Sequence, residues 1–329
     1  MGSITISGIG AYVPEKKITN FDLEKTVDTS NEWILERTGI AERRQVADNE
    51  SSSTMGAAAA NEALISANLL AENIDLIITA TCSPDGMFPS TANRIQSIIG
   101  AKKAVCFDVN SACNGFLTAL AIANGLLDNK NYKKALIIGS ETLTRLVDWQ
   151  DRNTCILFGD GAGAVVIEHS DNKSDLLGVL FGSDGTQGDL LFATGPASIK
   201  NSLIEDAKII MDGPNVFKNA VNFMTSIAKE LLIKTGKSID DISLCIPHQA
   251  NERILNAVAS NLSLDKNRVF NNIKNLGNTS AASIPIALHA AYYSNRLKKG
   301  DTLLFTAFGA GLNWGSALIN WNEIKNPKE

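Results

Sequence analysis

Three residues of this chain have the type and setting for covalent chemistry: Cys113, His248 and Asn278. Cys113 sits in Asp108-Val-Asn-Ser-Ala-Cys-Asn-Gly-Phe116. The apolar run Ala104–Asp108 reads as a buried strand, and Gly115–Leu127 reads as a helix that is apolar on most faces. The thiol is therefore expected at a strand-to-helix turn. There the positive end of the helix dipole and unpaired N–H groups favour the thiolate, the nucleophilic form. This placement suggests covalent catalysis, with a buried structural cysteine as the competing reading.

His248 lies in Ile246-Pro-His-Gln-Ala-Asn251, just past the strand-like run Ile242–Ile246 and before a helix near Glu252–Ala259. Asn278 lies in Asn275-Leu-Gly-Asn-Thr-Ser-Ala-Ala-Ser-Ile-Pro285, again ahead of a helix. A histidine can serve as acid or base near neutrality. An asparagine is an uncharged donor suited to an oxyanion. Each segment alone is a weak signal.

The elements that must position these residues follow one plan twice. The first half reads as a strand at Ile74–Ala80, a helix near Ser90–Ile99, a strand, the Cys113 turn, a helix, and a closing strand at Lys133–Gly139. The second half reads as Ile242–Ile246, a helix, a strand near Arg268–Asn271, the Asn278 turn, a helix, and a closing strand at Gly300–Ala307. Such alternation argues for parallel sheets covered by helices. The repeat suggests a duplicated α/β unit joined near Ser170–Asp175, with halves 1–172 and 173–329. Cys113 and Asn278 would then occupy matching turns that a pseudo-twofold axis could bring face to face.

Other segments narrow the chemistry. Gly159-Asp-Gly-Ala-Gly163 and Gly309-Ala-Gly311 lack both the Walker lysine and the dinucleotide-binding spacing, so they are better read as places of close backbone approach. Thr29-Ser-Asn-Glu32 fits a capping box opening a helix that carries Trp33 and Arg37 on one face. An indole beside a guanidinium suits a purine and phosphates, although a solvated helix with one packed Trp would look the same. His169 and His289 read as structural or surface histidines. Cys82, Cys106, Cys155 and Cys245 fall singly in strand-like runs, and no metal site is readable. The 329 residues are 44% hydrophobic and 20% charged, with a net charge of −5, which suits a globular protein and gives no support for nucleic-acid binding. No apolar run reaches the ~18 residues needed to span a membrane. With no basic, apolar leader and an apparent free thiol, a cytoplasmic location is expected.

The chain from about Ile4 to Trp321 resembles β-ketoacyl-acyl-carrier-protein synthase III, a thiolase-fold condensing enzyme family. The matching motifs are "DVNSACNGF", "FGDGAGA" at 158–164, "PHQAN" at 247–251, "GNTSAAS" at 277–283, "FGAGLNWG" at 308–315 and "VDTSNEWILERTGIAER" at 27–43, in family order. The resemblance implies a layered αβαβα fold. It makes Cys113 the acylated nucleophile and His248 and Asn278 its partners, with the backbone N–H groups of Cys113 and Ala310 as oxyanion hole. It assigns Thr29, Trp33, Arg37 and Arg152 to coenzyme A. Phe158 maps to the site where decarboxylation occurs, and Phe88 to a residue that closes the acyl pocket of a neighbouring subunit. Lys218 and Arg253 map to carrier-protein docking positions. Ser260 and Asn261 stand where some members have further lysines, which weakens the expected basic patch. The implied partners are an acyl-CoA, malonyl-acyl carrier protein and a second copy in a homodimer. No cofactor is implied, because the coenzyme A thioester is a substrate. The bulk of Phe88 points to a short starter, acetyl or a small branched acyl.

Residue types separate the branches of the fold. The C-terminal glycine loop has no cysteine, unlike that of thiolases, and Asn278 stands where elongating ketosynthases use a second histidine. A related acyltransferase or ketosynthase of secondary metabolism would use the same three residues. A cysteine hydrolase shares the order Cys, His, Asn but not the local papain signature. A catalytically dead binding scaffold is argued against by the intact set.

Overall fold

The computed structural model describes residues 4–128, 131–171, 174–195 and 208–324. The first part runs β1 (Ile4–Tyr12), β2 (Lys17–Thr19), α1 (Asn20–Leu23), α2 (Asn31–Thr38), β3 (Glu42–Arg44), α3 (Ser52–Ser66), β4 (Leu76–Ala80), α4 (Thr91–Ile99), β5 (Val105–Val109), α5 (Gly115–Asp128), β6 (Lys134–Thr142) and β7 (Asp160–His169). The second runs β8 (Leu176–Ser183), β9 (Leu191–Ala193), β10 (Ile209–Met211), α6 (Gly213–Thr235), β11 (Leu244–Pro247), α7 (Glu252–Asn261), α8 (Ser283–Tyr293), β12 (Thr302–Gly309) and β13 (Asn313–Asn320).

Two sheets carry the fold. One has the order β1-β7-β6-β4-β5, with β4 parallel to both its neighbours, and the other has the order β11-β12-β13-β8. Every residue of β4 and β12 is buried, as expected of strands covered on both faces. Helices α3 and α4 pack on the outer face of the first sheet, and α6 and α7 lie outside the second. Helices α5 and α8 touch strands of both sheets and form the middle layer of a thiolase-like αβαβα stack. Gly139 of β6 makes this close approach possible: a Cβ there would lie 2.3 Å from the Ala281 carbonyl oxygen.

Several expected elements differ. The run Ala104–Asp108 is not a buried strand: β5 is the edge of its sheet and its residues are exposed or half-buried, with Val105 46% exposed. The segment Arg268–Asn271 is not a strand either. A 3₁₀ turn at Lys266–Arg268 precedes a single bridge between Val269 and Cys245, after which Asn271 and Asn272 enter further turn hydrogen bonds. Cys82 lies in the loop after β4, and Cys155 in a turn before β7, not in strands. The boundary expected between residues 172 and 173 lies outside the described residues. The first sheet draws its strands from residues 4–169 and the second from 176–320.

Candidate active site

Cys113 lies in a one-turn 3₁₀ segment, Ala112–Asn114, that feeds directly into α5. Ala112 has φ +44°, an unusual value for a residue with a Cβ. The turn into α8 repeats this plan: Ser280 has φ +48° and opens the 3₁₀ segment Ser280–Ala282. The two turns touch one another. Gly309 packs on the other side, where a Cβ would sit 2.6 Å from the Cys113 nitrogen. Burial works against the helix end that favours the thiolate. Loss of water around Cys113, which is only 8% exposed, pushes its thiol up to about 12, against a smaller opposing pull from the Ser280 side chain.

His248 follows β11 and is 1% exposed. Burial pulls its pKa down to about 3, so the ring is neutral. Its Nδ1 lies 2.7 Å from Ser283 Oγ, and Ser283 Oγ also accepts the Gln249 N–H at 3.3 Å. Among the described residues the Ser283 hydroxyl has no other acceptor, so its hydrogen is directed to Nδ1. That makes Nδ1 an acceptor and puts the ring proton on Nε2. Asn278 is fixed in the same manner. Its Oδ1 accepts the Ser280 N–H at 2.8 Å, so its Nδ2 is the donor left for the cavity. Its backbone bridges to Phe158, with Asn278 N–H donating to the Leu157 carbonyl at 2.8 Å.

Two cavities meet at the cysteine. The larger, about 730 Å³, brings Cys113, His248, Asn278 and Phe158 together with Trp33, Arg37 and Arg253. The smaller, about 410 Å³, includes Cys113, Phe158, Ala310, Cys82 and Ser280. Two guanidiniums attend the Trp33 ring, Arg37 at 5.7 Å and Arg152 at 5.2 Å from its centroid. Arg152 is outside the cavity wall and donates to the Asp28 carbonyl at 2.8 Å. The expected capping box at Thr29 is displaced by one residue: Ser30 caps α2 by accepting from Trp33 N–H, and the Thr29 hydroxyl is buried without a partner. Lys218 is exposed on α6 and lines neither cavity, whereas Arg253 stacks 5.5 Å over Phe217 at the wall of the larger one. Phe88 is 84% exposed and lines neither cavity of its own chain. His169 and His289 pair with Asp171 and Glu62, at 3.2 and 3.0 Å.

Sequence reasoning missed Glu141, Cys82 and the roles of Ser280 and Ser283. Glu141 is next to last in β6 and is fully buried. A carboxylate closing the apolar run Ala135-Leu-Ile-Ile-Gly139 was the available signal for it. Among the described residues no group of His, Cys, Asp and Glu could hold a metal ion, and no helix is long and apolar enough to cross a membrane.

Residues 107–185 match the family described as 3-oxoacyl-[acyl-carrier-protein (ACP)] synthase III, and residues 232–321 match its C-terminal domain. The β-ketoacyl-[acyl-carrier-protein] synthase III of Aquifex aeolicus is 48% identical over 316 residues, covering 96% of this chain and 99% of that protein. The enzyme of the same name from Clostridium acetobutylicum is 46% identical over 328 residues, covering 98% of this chain and 100% of that one. The crystal structure of the Aquifex aeolicus 3-oxoacyl-[acyl-carrier-protein] synthase III superposes with a TM-score of 0.92, covering 97% of this chain and 100% of that one. A priming β-ketosynthase from a polyketide biosynthetic pathway is 32% identical with a TM-score of 0.92, covering 98% and 97% of the two chains.

Proposed function

The chain belongs to the 3-oxoacyl-[acyl-carrier-protein] synthase III family of condensing acyltransferases, which acts in fatty acid synthesis, and from that premise we propose a two-stage reaction at Cys113. In the first stage the Cys113 sulfur attacks the thioester carbonyl of a short acyl-CoA, acetyl-CoA above all. The backbone N–H groups of Cys113 and Ala310 hold the oxyanion, and coenzyme A leaves. In the second stage malonyl-acyl carrier protein enters the larger cavity. The N–H groups of His248 Nε2 and Asn278 Nδ2 bind its thioester carbonyl, carbon dioxide is lost, and the resulting enolate attacks the acyl-cysteine. The product is a 3-oxoacyl-acyl carrier protein.

Thr29, Trp33, Arg37 and Arg152 bind the nucleotide end of coenzyme A, which is a substrate and not a resident cofactor. Phe158 shapes the decarboxylation site, and Lys218 and Arg253 meet the acidic carrier protein. The working form is a cytoplasmic homodimer in which Phe88 reaches the acyl pocket of the neighbouring subunit. The 1–172 and 173–329 halves descend from one duplicated unit, as the twin turns at Ala112 and Ser280 support.

The observation that carries this reading is the pair of neutral donors aimed into the cavity that ends at Cys113. An enolate needs donors that do not protonate it prematurely. The same feature disfavours a hydrolase, since His248 Nε2 has no lone pair with which to activate water. The likeness to a polyketide priming ketosynthase supports a second reading with the same chemistry and a different consumer of the product.

The test is intact mass after incubation with acetyl-, isobutyryl- and dodecanoyl-CoA, followed by addition of malonyl-acyl carrier protein. Wild type should gain an acetyl group and then discharge it with release of carbon dioxide, whereas Cys113→Ser should gain none. An adduct that is only hydrolysed, or normal condensation by Cys113→Ser, overturns the reading.

A further inference from the structure

The motif at 27–43 ends on Arg43, a residue that none of the proposed steps uses. Arg43 is the middle residue of β3 and is 0% exposed. Burial lowers its pKa to about 10, so the guanidinium still carries its charge at neutral pH. Among the described residues no carboxylate forms an ion pair with it. A buried cation without a counter-ion destabilises a fold, and an apolar side chain of similar volume would fill the space without that cost. The reason for an arginine here lies in what its planar fork binds.

The fork donates to three acceptors. Nη2 donates to the Ile156 carbonyl at 2.7 Å, while Nη1 donates to the Ile18 carbonyl at 3.1 Å and to Asn20 Oδ1 at 3.0 Å. The first bond holds the segment 156–158, which walls the larger cavity. That segment is joined to Asn278 by backbone alone: Asn278 N–H donates to the Leu157 carbonyl at 2.8 Å, and Gly159 N–H to the Asn278 carbonyl at 3.0 Å. The stem of Arg43 lies against the same bridge, since a Cβ on Gly159 or Gly277 would stand 3.2 or 3.1 Å from the Arg43 Cβ. The other arm of the fork leads to α2. Asn20, also 0% exposed, donates through Nδ2 to the Ile40 carbonyl at 2.8 Å and to Asn31 Oδ1 at 3.2 Å, and Asn31 is the first residue of α2. Trp33 and Arg37 of that helix line the same cavity as Phe158 and Asn278.

We infer that Arg43 is a positioning residue that anchors the Phe158–Asn278 bridge to the base of α2. It lines neither cavity, so it acts only through the groups it holds. The inference rests on the proposed reaction for the role of Asn278, whose Nδ2 must meet the malonyl thioester carbonyl as charge develops there. A donor of that kind works only when held to within about 0.5 Å of its place. Asn278 fixes its own amide through Ser280, but the backbone that carries it hangs on the segment 156–159, and Arg43 ties that segment down. A lysine would keep the charge and lose the fork: one compact head cannot meet the Ile156 carbonyl and the Asn20 amide in the same planar geometry.

Arg43→Lys tests this through three measurements made well below its melting temperature. Hydrogen exchange at the Asn278 and Gly159 amides should quicken at least about tenfold, with the amides of α5 unchanged. The kcat for carbon dioxide release from malonyl-acyl carrier protein by the acetyl-enzyme should fall at least about tenfold. Alkylation of Cys113 by iodoacetamide, followed by mass, should keep its wild-type rate, because none of the Arg43 bonds reaches the Ala112–Asn114 turn. A purely structural role would lower the melting temperature and leave kcat per folded molecule as it was. Arg43→Gln, which is neutral and so buries no charge, should show the same split and preserves the test if Arg43→Lys does not fold. The inference falls if the bridge amides exchange as in wild type, or if carbon dioxide release keeps its wild-type kcat. It falls equally if Cys113 alkylation changes as much as carbon dioxide release, the sign of a general loosening. A wild type that never releases carbon dioxide sinks the functional reading instead, and the exchange contrast then still decides whether Arg43 holds the bridge.

Discussion

His248 is held neutral by burial, and that has two consequences at its own scale. For chemistry, the decarboxylation half-reaction should not titrate near pH 6.5. His248→Ala and Asn278→Ala should each slow carbon dioxide release by about 10²–10³-fold, the usual cost of one oxyanion donor, while acyl transfer from acetyl-CoA falls less. Stopped assays of the two half-reactions separate these, and equal losses in both would remove the division of labour. For stability, the folded pKa of about 3 lies below the unfolded value of ~6.5. The unfolded chain therefore takes up the proton first as pH falls. The contribution is complete above pH ~6.5 and is lost toward pH 3 at up to about 1.4 kcal/mol per pH unit. The melting temperature of His248→Gln should decline less steeply than wild type between pH 6.5 and 4.5. Cys113, His248 and Asn278, which share one cavity in the folded chain, could be picked out in the sequence because each sits in a short local motif. The sequence did not reveal Ser283 as the group that fixes the His248 tautomer, nor Glu141, whose partners come from residues 81–83 and meet it only in the folded chain.

At the scale of elements, the site depends on backbone meeting backbone. Gly309→Ala would push a methyl group to 2.6 Å from the Cys113 nitrogen and 3.2 Å from the Ala112 Cβ. It should cost about 1–3 kcal/mol of overpacking and displace the nucleophile's turn. The expected outcome is a folded protein, shown by its melting transition, with acetylation of Cys113 slowed far more than stability is reduced. Asp160, at the start of β7, fastens two other loops: it accepts from Val46 N–H at 2.9 Å, Thr144 N–H at 2.8 Å and Thr144 Oγ1 at 2.5 Å. Asp160→Asn turns an amide NH₂ against one of those N–H donors and should destabilise by about 1–3 kcal/mol at pH 8, measured by denaturant unfolding. Strand–helix alternation was readable in the sequence because buried strands and helices leave strong apolar periods. Arg268–Asn271 was misread because Val269 and Phe270 look like strand residues, while side chains of Asn271 and Gln249 take the following N–H groups into turns. The α2 cap moved from Thr29 to Ser30 because two adjacent hydroxyls offer the same chemistry, and only backbone direction decides between them.

At the scale of the whole molecule, Phe88 and Met87 project from the first half with 84% and 66% exposure. Any influence of Phe88 on starter choice must therefore be exerted on another copy. Phe88→Thr should raise kcat/KM for longer acyl-CoAs relative to acetyl-CoA, by about 10-fold or more once several misfit carbons are relieved. Phe88→Asp should lower the dimer fraction in sedimentation. Dodecanoyl-CoA acylating the wild type faster than acetyl-CoA would dismiss the short-starter reading. The middle layer has a consequence of a different kind. Helices α5 and α8 are covered by a sheet on each side, and the Cys113 sulfur stands at the mouth of one of them. Their amides should exchange hydrogen only when the entire chain opens, so they should be among the slowest in the molecule. On the proposed reading, the chemistry at Cys113 would then take place in the least breathing part of the protein. Substrates must come to it through the fixed openings, and inactivation by heat or denaturant should coincide with global unfolding, with no earlier loss from a loosened site.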